Sequence, residues 1–236
     1  MTPIQQMFLG VGAKKKTYMD DVFGNYLYKG TGSALTINNG IDESGEGALT
    51  WIKRRNSAQN HFLQDTVRGA TKVLRCNTSE AESTESAAIT AFNNNGFTLG
   101  TDTSVNSSGD NYSSFSFRKA PGFFDIVTYT GTGSNRTVGH SLGCVPGCIM
   151  IKRTDASGDW VVYTRGVGPG NALKLEGNGL AHGGTDRFND TAPTASVFTV
   201  GTSSHVNTSG GAYVAYVFAG GESTAATARS VDFDGS

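Results

Sequence analysis

The chain has 236 residues, 19 Lys and Arg against 20 Asp and Glu, and a formal net charge of −1. That near balance leaves no strong global field to attract nucleic acid or an anionic membrane, so neither is expected as a partner. Gly at 32 residues against 5 Pro, with Thr, Ser and Asn crowded between apolar runs, argues against a mainly helical fold and for short strands joined by tight turns.

Residues 1–21 form a leader that is apolar at Ile4, Met7, Phe8, Leu9 and Val11 and then basic at Lys14, Lys15 and Lys16. It reads either as a loosely packed terminus or as a docking peptide that orders on a partner. No basic start precedes an apolar stretch of signal-peptide length, and no apolar run is long enough to cross a bilayer. The expectation is a chain made in the cytoplasm without membrane insertion.

From Val22 onward, period-two alternation and β-rich composition mark strands near Phe23 to Tyr28, Ala48 to Arg54, His61 to Asp65, Lys72 to Cys76, Phe97 to Gly100 and Tyr112 to Phe117. The series then returns near Phe123 to Thr130, Cys148 to Arg153, Trp160 to Arg165, Ala172 to Leu175, Phe198 to Gly201 and Tyr213 to Phe218. The return is also literal. Gly96 to Phe117 and Val197 to Phe218 are identical at ten of 22 positions, and Tyr28, Gly30, Thr31, Gly32 and Ser33 recur as Tyr129, Gly131, Thr132, Gly133 and Ser134. A period near 100 residues implies two similar units, each large enough for its own core.

The predicted fold is therefore all-β: two tandem antiparallel β-sandwich units, jelly-roll or concanavalin-A-like, behind the leader. Their bounds are 22–120 and 121–221, with 222–236 as a linker and the possible start of a further domain. Ser79 to Phe92 is the one helix candidate, but it and its Pro193-containing counterpart are assigned as loops. The matching turns Asn106 to Gly109 and Asn207 to Gly210 predict hairpin or bulged connections that need positive φ at Gly. Last strands differ: YSSFSF alternates, whereas YVAYVF is apolar on both faces and so expected to be covered twice, by the first unit, a neighbouring subunit or a following segment.

No reactive constellation emerges. Glu43 and Glu46, Glu80, Glu82 and Glu85, and Asp155 and Asp159 all fall in polar loops and read as solvated rather than as a glycosidase pair. His61, His140, His182 and His205 lack metal-ligand spacing, and His140 near Cys144 has no acid beside it. Gly10 to Thr17 has the wrong spacing for a phosphate loop. Lys53, Arg54 and Arg55 are expected to protect an exposed strand edge. Cys76, Cys144 and Cys148 are too few for a disulfide framework, and the last two, flanking Val-Pro-Gly, are expected as reduced, half-buried thiols in a turn, with a local bridge as the alternative. The six Asn-x-Ser/Thr triplets, at Asn77, Asn106, Asn111, Asn135, Asn189 and Asn207, reflect turn composition. The expectation is no enzyme, no cofactor and no metal.

GVGAKKKTYMDDVF, INNGIDESGEGALTWIKRR, FRKAPGFFDIVTYTGTG and HSLGCVPGCIMIKRTDASGDWVVY together resemble virion structural proteins of tailed bacteriophages, especially marine ones, across nearly the whole chain. SVDFDGS, near the end, resembles the first strand of a concanavalin-A-like, laminin-G-type domain. The resemblance implies a tail-fibre or adhesin-like virion protein, assembled in the host bacterial cytoplasm, with the leader docked to tail, baseplate or capsid proteins and the chain forming a homotrimer. It supplies no binding or catalytic residues. Capsid decoration or a head fibre is the alternative within the virion. A carbohydrate-binding module using Tyr18, Tyr26, Tyr28, Trp51, Tyr112, Trp160 or Tyr163 on a host-surface glycan is the alternative in another class, and a polysaccharide depolymerase is the enzyme reading.

Overall fold

A computed structural model describes residues 17–176, 182–183 and 185–221. The leader residues Ile4, Met7, Phe8, Leu9, Val11, Lys14, Lys15 and Lys16, and the SVDFDGS segment, lie outside them. The first repeat runs α1 (Met19–Val22), β1 (Phe23–Lys29), β2 (Leu35–Asn38), β3 (Ala48–Arg54), β4 (Phe62–Asp65), β5 (Lys72–Arg75), β6 (Ser83–Thr84), β7 (Ile89–Asn93), β8 (Gly96–Leu99), α2 (Thr103–Asn106) and β9 (Asn111–Arg118). The second runs β10 (Phe124–Thr130), β11 (Arg136–Gly139), β12 (Pro146–Arg153), β13 (Val161–Thr164), β14 (Asn171–Lys174), β15 (His182–Gly183), α3 (Thr185–Phe188), β16 (Val197–Val200), α4 (Ser204–Asn207) and β17 (Ala212–Ala219).

The fold is all-β, as its composition implies. The strands build two six-stranded sheets, β1-β9-β3-β4-β5-β6 and β10-β17-β12-β13-β14-β15, and two small ones, β2-β8-β7 and β11-β16. Pairing is antiparallel throughout, and each helix is a single turn of four residues. In the first repeat Tyr28, Ile52, Val73 and Tyr112 of the large sheet meet Ile37, Phe97 and Leu99 of the small one in one buried cluster. Ile149, Ile151, Tyr213 and Val217 meet Val138, Phe198 and Val200 in the second.

The twelve strands seen in the sequence are all present, shifted by a residue or two at their ends. Missing from that reading are the two-residue β15 and, of more consequence, β2 and β11, four-residue segments with one buried side chain each, Ile37 and Val138. Ser79 to Phe92, assigned as a loop, contains β6 and most of β7, because Ile89 needs a place in the core. In the second repeat α3 delivers Phe188 to the core instead. Lys53 and Arg54 do not guard an edge, since β3 lies between β9 and β4. Lys53 Nζ donates to Gln59 O at 2.8 Å, and Arg54 is paired with Asp110.

What the repeated motif encodes is a clamp made twice. Asn106 is fully buried: its amide donates to Ser33 O and Gly100 O, at 2.6 and 2.7 Å, and its carbonyl accepts from Thr31 N at 2.9 Å. Asn207 does the same with Ser134 O, Gly201 O and Thr132 N, at 2.7, 2.6 and 2.8 Å. Tyr28 donates to Val105 O and Tyr129 to Val206 O, both at 2.7 Å, and each ring stacks on a second tyrosine, Tyr112 or Tyr213, with centroids 5.1 Å apart. Two of the Asn-x-Ser/Thr triplets are thus fixed inside the structure. The turns close on Gly109 (φ 84°) and Gly210 (φ 76°), as the sequence demanded.

A third buried layer joins the repeats. The outer faces of the two large sheets meet through Leu49, Leu63 and Leu74 on one side and Phe124, Ile126, Met150, Val162, Val214 and Tyr216 on the other. The last strand is therefore covered twice: Tyr213, Ala215 and Val217 face their own core, while Val214 and Tyr216 face the first repeat. Tyr216 donates to Asp65 Oδ2 at 2.8 Å and accepts from Arg68 at 3.0 Å, and the Trp160 indole donates to Arg75 O at 3.0 Å.

Asn106→Ala or Asn207→Ala should each cost about 2–4 kcal/mol by stranding buried backbone groups. Gly109→Val or Gly210→Val should cost roughly 1–2 kcal/mol for the positive φ. Urea unfolding measures both; unchanged midpoints would contradict the clamp and the turn assignment respectively.

Candidate functional site

Two depressions lie at the boundary between the repeats. The short link after β9 turns at Gly122 and feeds directly into β10, leaving an open hollow of about 490 Å³ beside it. Val67 and Lys119 of the first repeat form one wall, and Asp125, Thr128, His140 and Ser141 of the second form the other. A smaller depression of about 190 Å³, bordered by Glu46 and Pro121, shares Lys119 and Asp125.

Asp125 is 4% exposed and holds this corner together. Its Oδ2 accepts from Ser141 N at 2.7 Å, and its Oδ1 from Ile126 N at 2.9 Å and from Lys119 Nζ at 3.2 Å. His140 Nδ1 accepts from Leu142 N at 3.3 Å, which assigns the ring proton to Nε2, 3.3 Å from Thr194 O. Burial holds the His140 imidazole below its ordinary pKa, so it stays neutral at neutral pH. The Asp125 oxygens are occupied by two backbone amides and the Lys119 ammonium, and the His140 Nδ1 lone pair by Leu142 N. The hollow is lined by Val67, Ile126 and Val127 beside Thr128, Ser141 and the Lys119–Asp125 pair.

A second cluster lies where the loop between β12 and β13 meets the first repeat. Lys152 is fully buried, and its ammonium donates to Gly158 O at 2.7 Å and to Ser79 O at 3.1 Å. Desolvation depresses it to about 8. Nearby, Asp159 Oδ2 accepts from Lys174 Nζ at 2.6 Å, and the Glu176 carboxylate accepts from Trp160 N at 3.1 Å. Burial pushes the Glu176 carboxyl up, helped by the neighbouring Asp159. In Asp159 burial acts the same way but is outweighed by the Lys174 hydrogen bond and the charge of His205, which hold it low.

Several acids thus depart from the solvated reading. Asp159 belongs to this cluster. Glu43 is fully buried, its carboxylate accepting from Thr50 and Ser116 hydroxyls at 2.6 Å and from the Asn39 amide at 2.8 Å, with desolvation raising its pKa. Asp155 fits the expectation, paired with Arg153 at the surface. Glu176 escaped the sequence analysis altogether; its one signal was alternation with Lys174 just past a strand. Of the candidate aromatics, Tyr28, Tyr112, Trp160 and Tyr163 are core, Tyr18 and Tyr26 are exposed, and Trp51 is half-buried. The three cysteines are free: Cys144 packs on the second core and Cys148 on the shared one. Among the described residues no group of three or more His, Cys, Asp or Glu is placed to hold a metal, and no helix is long and apolar enough to cross a membrane.

A family model described as a domain of unknown function, DUF7483, matches residues 19–225, so the chain belongs to that family. The match spans both repeats as one unit. No curated protein matches the chain.

Lys152 predicts a pH dependence. Its folded pKa, about 8, lies below the ordinary 10.5, so between those values the unfolded chain binds more protons and stability rises with pH. Urea unfolding should therefore show the wild type gaining on Lys152→Met as pH is raised through about 8. A difference that is constant from neutral to alkaline pH would contradict a desolvated ammonium.

Proposed function

We propose that this protein is a non-enzymatic structural component of a tailed-phage virion, a tail fibre or fibre-like adhesin. Residues 1–21 dock it to other virion proteins, and the two repeats form a rigid block that supports host recognition. The observation that carries this reading is where the repeated residues are used. Asn106 and Asn207, Tyr28 and Tyr129, and Tyr112 and Tyr213 all brace loops of their own repeat. The same braces in both repeats suit a part built for stiffness. The buried layer between the repeats acts in the same sense, since two units sharing a core transmit force without hinging.

The composition agrees, with a nearly neutral chain rich in turn residues. Assembly as a homotrimer follows from the fibre resemblance and belongs to the same proposal.

Deleting residues 1–16, which carry the candidate docking side chains and leave α1 in place, should abolish incorporation into virions while leaving the unfolding midpoint of the repeats unchanged. Immunogold labelling with antibody to residues 22–221 should then mark tail-associated fibres. Label over the head would replace the fibre reading by capsid decoration, and normal incorporation of the deletion would contradict the docking role.

A further inference from the structure

The outer face of the first large sheet is covered over only part of its width. Strand register places Phe23, Phe117, Leu49 and Asp65 in one row across β1, β9, β3 and β4. The next row on this face is Asn25, Phe115, Trp51 and Leu63, and the one after it Leu27, Ser113 and Lys53. Leu49, Leu63, Phe117 and one side of Trp51 lie in the layer shared with the second repeat. Beyond them the face opens. Leu27 is 58% exposed, the highest value among the large apolar side chains described, and Phe115 and Trp51, in the row before it on the next two strands, are half-buried.

Trp51 is held at a fixed angle. Its indole N–H donates to His61 Nδ1 at 3.1 Å, and the two rings sit 5.8 Å apart. The His61 backbone is tied in turn to Asn77 Oδ1 at 3.0 Å, and Asn77 donates to Asn60 at 2.9 Å. The repeat makes the exposure informative. The positions equivalent to Phe115 and His61 in the second unit are Tyr216 and Trp160, both wholly buried beneath the first unit. The row that closes the shared core in the second repeat, Ile126, Tyr216 and Met150, is left partly open in the first as Asn25, Phe115 and Trp51, while the next position is exposed in both, as Leu27 and Thr128.

We propose that Leu27, Phe115 and Trp51 form a stacking platform for a neutral saccharide. A pyranose presents a flat C–H face that packs on aromatic rings, and hydroxyls around its edge that take hydrogen-bond donors and acceptors. The rim supplies these in Asn25, Ser113, Asn77 and His61, whose pKa is lowered and which is therefore neutral at neutral pH. Lys53, the one cation in the row, has its ammonium tied to Gln59 O. Three apolar side chains edged by amides are too little for a protein partner, which needs roughly 800 Å² on each side. They match one or two sugar rings.

The chain carries two tryptophans, and Trp160 is fully buried, so ligand-dependent emission reports Trp51. Full-length protein should first be screened on an array of bacterial surface glycans. Neutral hits, with maltohexaose and tetrameric N-acetylglucosamine as soluble probes, are then titrated by fluorescence with acrylamide quenching. The site predicts saturable protection of Trp51 by a neutral glycan and at least about tenfold weaker binding in Leu27→Asp and Phe115→Ala. Leu27 is exposed enough that its variant folds, which a matching unfolding midpoint checks. No neutral hit, binding of acidic glycans alone, or binding that both variants retain would overturn the site. The inference is separable from the virion proposal: a virion-located protein that binds no glycan loses only the platform, and a glycan binder absent from virions keeps it.

Discussion

Asp65, Arg68 and Tyr216 meet where the two large sheets face each other, and the architecture depends on that junction. The Asp65 carboxylate is fully buried and accepts from Val67 N, Arg68 N, Arg68 Nε and the Tyr216 hydroxyl, at 3.0, 2.8, 2.5 and 2.8 Å. Arg68 reaches on to Glu82 at 3.0 Å and to Leu63 O at 3.2 Å. Neighbouring charge and hydrogen bonds outweigh the desolvation of Arg68 and keep it protonated. A buried ion pair adds little stability over well-packed apolar groups, but breaking one strands an unpaired charge at a cost of about 3–5 kcal/mol. It also registers the repeats, since the Tyr216 hydroxyl of one is received by Asp65 and Arg68 of the other.

That registration explains why the repeats diverge where they do. Each needs its Asn and Tyr braces, so those residues recur. The outer faces of the large sheets have different tasks, since one must be apolar enough to lie against its partner and the other is only partly covered. Ile126 stands in the second repeat where the first has the exposed Asn25, and Tyr216 where the first has Phe115. The interior differs too. Around Glu43 the first repeat buries Thr50 and Ser116, whereas Ile149 and Val217 fill the corresponding places of the second. The first unit has the more polar interior.

Much of this was legible in the sequence. Period-two alternation located β3 and β9 nearly to the residue, and YVAYVF announced a strand covered on both faces. The identity of the cover was hidden, because only the folded register shows that Tyr216 points at Asp65, 151 residues earlier. Glu43 and Asp159 were misread for the same reason: a carboxylate in a Gly-rich loop looks solvated until the loop folds back over the sheet. β2 and β11 escaped because four residues with one buried side chain carry too little periodicity. The half-open platform at Trp51 could not be separated from core aromatics by pattern, since exposure there depends on how far the second sheet reaches.

The most direct test of a two-repeat block with a shared core is differential scanning calorimetry of the intact chain. A core common to both units predicts one transition whose calorimetric and van't Hoff enthalpies agree, with Tyr216→Phe lowering its midpoint as a whole. Two transitions that move independently, with Tyr216→Phe shifting only one, would show separate domains in contact and contradict the account.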